Sequence, residues 1–212
     1  MSNILSHEMV RFVPKPMPVF TAILDDHVEF NENLKEIILE HRQNNPKSTK
    51  SNVKAWQSSW MTHLENPKFQ PLADRIVDAC QFITEAYYKF KIDYSIVNMW
   101  AMMYEETEET VKHCHFPSDF SCCYYVDVEP NCAPIIFESV VDDGVHNHNH
   151  PLKIQPENGM LAIWSGLLQH EVPPTEGKRM CVSANALRTS LTILEQQVDK
   201  SLPKRVNFSK FE

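Results

Sequence analysis

The chain has 212 residues, 42% of them hydrophobic and 23% charged, with a net charge of −8; that is enough apolar material for a substantial core and is not a disordered composition. The acidic balance argues against a nucleic-acid partner, no apolar run reaches the length of a membrane span, and the N-terminus "MSNILSHEMVRF" lacks the apolar stretch of a signal peptide. Six cysteines with no C-x-x-C pair, and four glycines with no phosphate-cradling string, argue against a disulfide scaffold and against Gly-rich nucleotide loops, and point to free thiols in a reducing, cytoplasmic setting.

A single domain is expected over residues 1–212. It divides into an N-terminal part of helices and one strand (about 1–92), a β-rich core (about 93–187) and a tail (188–212). A short strand is predicted in "PVFTAILD". Asn33 followed by Glu36 has the spacing of a capping box, after which Leu34, Ile37, Ile38 and His41 share a helical face. "NNPKSTKSN" (44–52) reads as a loop. From Pro67 a long amphipathic helix is predicted, with Phe69, Leu72, Ile76, Cys80, Ile83, Tyr87 and Phe90 recurring at three- and four-residue steps.

From residue 93 the pattern changes. "DYSIVNMWAMMY", "FSCCYYVDV", "APIIFES", "GMLAIWS" and "RMCVSANAL" are short runs of β-branched, aromatic and cysteine residues, separated by the turn signals "EPN", "DDG", "ENG" and "TEG". Such a series predicts a sandwich or barrel backed by the N-terminal helices. The strand tryptophans and tyrosines Trp100, Tyr124 and Trp164 read as core and carry no assigned role. The basic cluster Lys200, Lys204, Arg205 and Lys210 reads as a solvated tail.

Two stretches carry metal-ligand chemistry. "VKHCHFP" holds His113 and His115; "VHNHNHP" holds His146, His148 and His150. On a strand, residues two apart face the same side with Cα atoms about 6.6 Å apart, so either set could converge on one ion. Asparagines and a proline mark the second stretch as an exposed hairpin or loop. His113 and His115 lie between two hydrophobic runs, where a barrel could surround them, and are the preferred pair.

Further on, "WSGLLQHEVPPTEGKRMCVSANA" places His170 after an apolar strand and Arg179 nine residues later. Around Arg179 the chain alternates: Met180, Val182, Ala184 and Ala186 form an apolar face, and Arg179, Cys181, Ser183 and Asn185 the other. An arginine turned inward needs an anion, and its planar fork suits a carboxylate. The bland alternatives are a solvent-facing Arg179 or an ion pair with Glu171 or Glu176.

Taken together, "HCHFPSDFSCCYYV", the distal His170 and the following Arg179 resemble the signature of iron(II)/2-oxoglutarate-dependent oxygenases. The resemblance spans about residues 95–187 and looks closest to a bacterial and phage branch with an H-x-H-P motif. It implies a mainly β (α+β) fold, a double-stranded β-helix or jelly roll with helices on one sheet. It also implies an oxidoreductase: a dioxygenase that couples decarboxylation of 2-oxoglutarate to hydroxylation of a small-molecule or peptide substrate with O2. Nucleic acid and membrane are not expected as partners, and a homodimer is left open. By the same resemblance Fe(2+) is held by His113, His115 and His170. Arg179 grips the far carboxylate of 2-oxoglutarate, assisted by Tyr125, Tyr104 and Ser183. His115 stands where most of the family has a carboxylate; Asp119 is the alternative third ligand, less easily aimed from beyond Pro117. The rivals are a three-histidine cupin-type oxygenase without 2-oxoglutarate and a metal-binding module without turnover. As metal ligands the histidines must be neutral, so metal affinity is expected to fall below a pH of about 6.5.

Overall fold

A computed structural model describes residues 17–47, 53–138 and 151–190. His146, His148, His150, the basic cluster near the C-terminus and part of the 44–52 loop lie outside these residues. The elements in chain order are β1 (Val19–Ile23), α1 (His27–Asn44), β2 (Trp56–Gln57), α2 (Thr62–Glu65), α3 (Gln70–Ile83), β3 (Asp93–Tyr104), β4 (Thr110–His113), β5 (Phe120–Val128), β6 (Ile135–Phe137), β7 (Leu152–Ile154), β8 (Met160–Ser165), β9 (His170–Val172) and β10 (Arg179–Ser190).

Among the described residues, ten strands form two antiparallel sheets. The major sheet runs β1-β8-β5-β10-β3-β2 and the minor sheet β4-β9-β6-β7. This is a sandwich, as the strand series predicts, and the jelly roll that the family resemblance implies; β1 and β2 bring residues from the N-terminal part into its major sheet.

The period-2 alternation of a strand sorts each sequence run onto two faces. Phe120, Cys122, Tyr124 and Val126 of β5, Leu161 and Ile163 of β8, and Met180, Val182, Ala184 and Ala186 of β10 pack with the helices. Their neighbours Cys123, Tyr125, Ala162, Trp164 and Cys181 face the minor sheet, together with Trp100, Met102 and Tyr104 of β3. Arg179 therefore belongs to the inner face, as its alternation predicts.

On the outer face, α3 buries Leu72, Ala73, Ile76, Cys80 and Ile83. Burying one such aliphatic side chain is worth about 1.5–3 kcal/mol, so this stripe fixes the helix to the major sheet. The stripe is shorter than the sequence suggests. Pro67–Phe69 is a 3-10 turn, α3 gives way to a π-turn at Thr84–Tyr88, and Lys89 ends that turn in a left-handed conformation. The wider turn rotates the chain off the stripe, leaving Tyr87 and Phe90 exposed. The start of α1 also differs. The helix begins at His27 behind Asp26, so Asn33 and Glu36 are not a capping box but lie within the helix. Asp26 is held by a bidentate ion pair with Arg75, at 2.7 and 2.6 Å, and not by its own helix. Asn33 donates back to the Glu29 carbonyl.

Candidate metal centre

β4 ends at His113 and pairs with β9, which begins at His170; the two histidines are register partners across the minor sheet. His115 lies just past β4, in the turn that carries the chain to the major sheet. Its N–H donates to the Gly166 carbonyl at 2.7 Å, and the Ser118 N–H donates to its carbonyl at 2.9 Å. The two loops approach so closely that a Cβ on Gly166 would lie 2.2 Å from the Ser118 carbonyl oxygen. Only glycine fits there, and its place holds His115 over the mouth of the sandwich.

The three imidazoles converge. Ring centroids are 4.9 Å apart for His113 and His115, 4.5 Å for His113 and His170, and 5.0 Å for His115 and His170. One ring nitrogen from each lies within 4.8 Å of the others. Every Nδ1 is engaged behind its ring: His113 with the Val111 carbonyl at 2.8 Å, His170 with the Leu168 carbonyl at 3.0 Å, and His115 with Asn185 Oδ1 at 2.6 Å. These oxygens accept, so Nδ1 carries the hydrogen and Nε2 presents a lone pair. His113 and His115 bring their Nε2 atoms to 3.0 Å, a close approach of two lone pairs that a shared cation would turn into attraction.

Burial favours the neutral, ligating form. It lowers the pKa of His113, brings that of His115 to about 4, and that of His170 to about 3 with help from the neighbouring histidines. The fall in metal affinity expected below about pH 6.5 is therefore moved to lower pH.

Two tryptophans read from the sequence as plain core are part of this centre. Trp100 stacks on His115 at 5.6 Å and an interplanar angle of 26°, and Trp164 meets the His170 ring edge-on at 4.9 Å. Asn185 is the third residue without a role assigned from the sequence. The signal for Trp100 and Asn185 was periodicity: Trp100 shares a face with Tyr104, and Asn185 with Arg179. Asp119 is turned away. It accepts from Arg188 Nε at 2.9 Å and from the Arg188 backbone N–H at 2.8 Å, which excludes it as a third ligand in this arrangement.

Arg179, Tyr104, Ser183 and the three histidines line one cavity between the sheets. Arg179 is only 2% exposed and forms no ion pair among the described residues, so neither Glu171 nor Glu176 neutralises it. It donates to the Ala133 carbonyl at 3.2 Å and packs between the rings of Tyr104 and Tyr125, at 4.9 and 5.1 Å. Its Nε and the Tyr125 hydroxyl are buried without a partner. Tyr104 is differently placed: its hydroxyl lies 2.7 Å from Thr110 Oγ1. A buried guanidinium with an unpartnered N–H is suited to an anionic partner, since orphaned buried polar groups are costly.

Residues 98–185 match the family model described as putative 2OG-Fe(II) oxygenase. No protein of curated function matches the sequence. The fold is similar to that of a Pseudomonas putida prolyl-4-hydroxylase, with a TM-score of 0.59 and 12% identity over 81% of this chain and 93% of that one. A Trichoplax adhaerens prolyl hydroxylase, solved with a hypoxia-inducible-factor peptide, gives 0.58 and 14% over 79% and 83%. HygX of Streptomyces hygroscopicus, solved with nickel and 2-oxoglutarate, gives 0.58 and 10% over 83% and 84%. The stretch that matches the 2OG-Fe(II) oxygenase model is the jelly-roll core that carries His113, His115, His170 and Arg179, and over this stretch the chain is similar to that family.

Proposed function

We propose that the protein is a non-haem Fe(II)- and 2-oxoglutarate-dependent dioxygenase that hydroxylates a small-molecule or peptide substrate, with His113, His115 and His170 holding the metal. The observation that carries this reading is Arg179: a buried cation with a free Nε, at the same cavity as three preorganised imidazoles. The similarity to HygX, solved with 2-oxoglutarate, supports the same co-substrate here. The two prolyl hydroxylases keep a peptide among the substrate classes.

When bound, the metal and 2-oxoglutarate supply the oxidising chemistry, in which oxidative decarboxylation of the co-substrate to succinate accompanies hydroxylation. The chain supplies position and shielding. His113, His115 and His170 would hold the metal and would leave its remaining coordination positions for small molecules. Because the three histidines are neutral, the dianionic co-substrate offsets the metal's charge. Arg179 takes the far carboxylate through its fork. The Tyr125 hydroxyl is a second donor there, while Tyr104 walls the site and Ser183 lines it. Trp100 and Trp164 hold the His115 and His170 rings and keep water from the metal side of the cavity. All six cysteines are unpaired, which supports a reducing, cytoplasmic setting, and residues 1–212 work as one domain. Among the described residues, no helix is long and apolar enough to cross a membrane.

That no carboxylate joins the histidine cluster among the described residues is what favours a cupin-type three-histidine oxygenase without 2-oxoglutarate. A module with every coordination position filled by protein needs more donors than the three found here among the described residues. The deciding experiment is incubation with Fe(II), ascorbate, O2 and 2-oxoglutarate. Succinate forms under the proposed reading, more slowly without the true substrate, and none forms under either rival.

A further inference from the structure

The cavity holds a nucleophile for which the proposed reaction has no use. Cys123 lies on the inner face of β5 opposite Ser183. It is 2% exposed and lines the same cavity as Arg179 and the histidines. Among the described residues no aspartate or glutamate lines that cavity, and the charge of Arg179 acts on the Cys123 thiol. Burial on its own raises a thiol's pKa, yet contact with Cys181 and the charge of Arg179 outweigh it and bring Cys123 down to about 7. The adjacent Cys122 is the internal contrast. It points to the helix side, away from Arg179, and its thiol is pushed well up by burial and by Cys80.

We propose that Cys123 is a modification site at the carboxylate end of the cavity, reactive toward small electrophiles that themselves carry a carboxylate. The Nε of Arg179, buried without a hydrogen-bond partner, receives the carboxylate and sets the reactive carbon beside the sulfur. With a haloacetate, sulfur bonds to the methylene carbon, the carbon–halogen bond breaks, and halide leaves with the bonding pair; the thiol proton has already gone to solvent. The product is a carboxymethyl thioether whose own carboxylate fills the place proposed for 2-oxoglutarate. The inference rests on reading Arg179 as a carboxylate site, and modification would shut off the co-substrate.

The test compares iodoacetate with its neutral analogue iodoacetamide on the intact, metal-free protein at pH 7.5, followed by mass and fragment-ion assignment of the modified cysteine. The expected result is one carboxymethyl group on Cys123. It should be added faster than the amide is, by about tenfold or more, because a focused positive potential raises the on-rate of an anion. Cys123→Ser abolishes that addition, and Arg179→Gln, which keeps the fold's packing but not the charge, reverses the preference. Faster reaction with iodoacetamide at Cys123, or labelling of the partly exposed Cys114 with Cys123 untouched, would overturn the proposal. Protection by 2-oxoglutarate is read separately. If iodoacetate is preferred but 2-oxoglutarate does not protect, the Cys123 site stands and the co-substrate reading falls.

Discussion

Replacing Asn185 by alanine should weaken metal binding without touching a ligand. Two of the three histidines are oriented by backbone carbonyls, which substitution cannot remove; His115 alone depends on a side chain, Asn185 Oδ1 at 2.6 Å. The same oxygen accepts from Ser121 Oγ at 3.1 Å. Asn185→Ala leaves the His115 Nδ1–H and the Ser121 hydroxyl without this acceptor in a nearly closed site, at about 1–3 kcal/mol for such groups. His115 is then free to turn or change tautomer. Loss of an orienting partner of this kind typically lowers metal affinity about 10- to 100-fold. The assay is anaerobic titration with Co(II) or Fe(II), with urea unfolding of the metal-free protein run in parallel so that lost stability is not mistaken for lost affinity. Asn185→Asp keeps the acceptor and places a negative charge behind His115, so it should bind metal at least as tightly as wild type. Wild-type affinity in Asn185→Ala, or weaker binding by Asn185→Asp than by Asn185→Ala, would refute the reasoning.

The remaining expectations concern the ligands, the loop and pH. His113→Ala and His170→Ala should each abolish stoichiometric metal binding, whereas replacing His146, His148 and His150 together should leave it nearly intact; metal content of purified variants checks both. Gly166→Ala places a methyl 2.2 Å from the Ser118 carbonyl and should displace the His115 turn, costing about 1–3 kcal/mol in urea unfolding along with metal affinity. Substituting the adjacent, exposed Leu167 should do neither. For the metal-free protein, His115 at about 4 and His170 at about 3 lie below the unfolded value of about 6.5. The unfolded chain therefore binds more protons between those limits, and stability falls as pH drops from about 6.5 toward 4. A urea midpoint unchanged between pH 7 and pH 5 would contradict this.

The inner and outer faces of the long strands were legible in the sequence because strand periodicity is strict: Arg179, Cys181, Ser183 and Asn185 fall on one face and Met180, Val182, Ala184 and Ala186 on the other. The convergence of His113, His115 and His170 was legible as a motif and not as geometry. His115 owes its position to a loop contact with Gly166, across fifty residues of chain, and no local pattern encodes that. Trp100 was hidden by its residue type, since a strand tryptophan packs a core and stacks on a ligand in the same way. The helix ends misled for a similar reason. Asp26 has the chemistry of a cap but spends its carboxylate on Arg75, a partner from another helix. The π-turn after Ile83 breaks a stripe whose spacing continues unchanged in the sequence.

In the function proposed here, three histidines and Arg179 hold one metal ion and one 2-oxoglutarate together. Anaerobic titration of the Fe(II)-loaded protein with 2-oxoglutarate tests it through the visible absorption band of the chelated keto acid. A band that saturates at one co-substrate per chain and is absent in His170→Ala is the expected result. In Arg179→Lys it should saturate only at about ten- to a hundred-fold higher concentration, since a charge-assisted bidentate contact is worth about 1.5–3 kcal/mol. No band in wild type, or equally tight binding by Arg179→Lys, would contradict it.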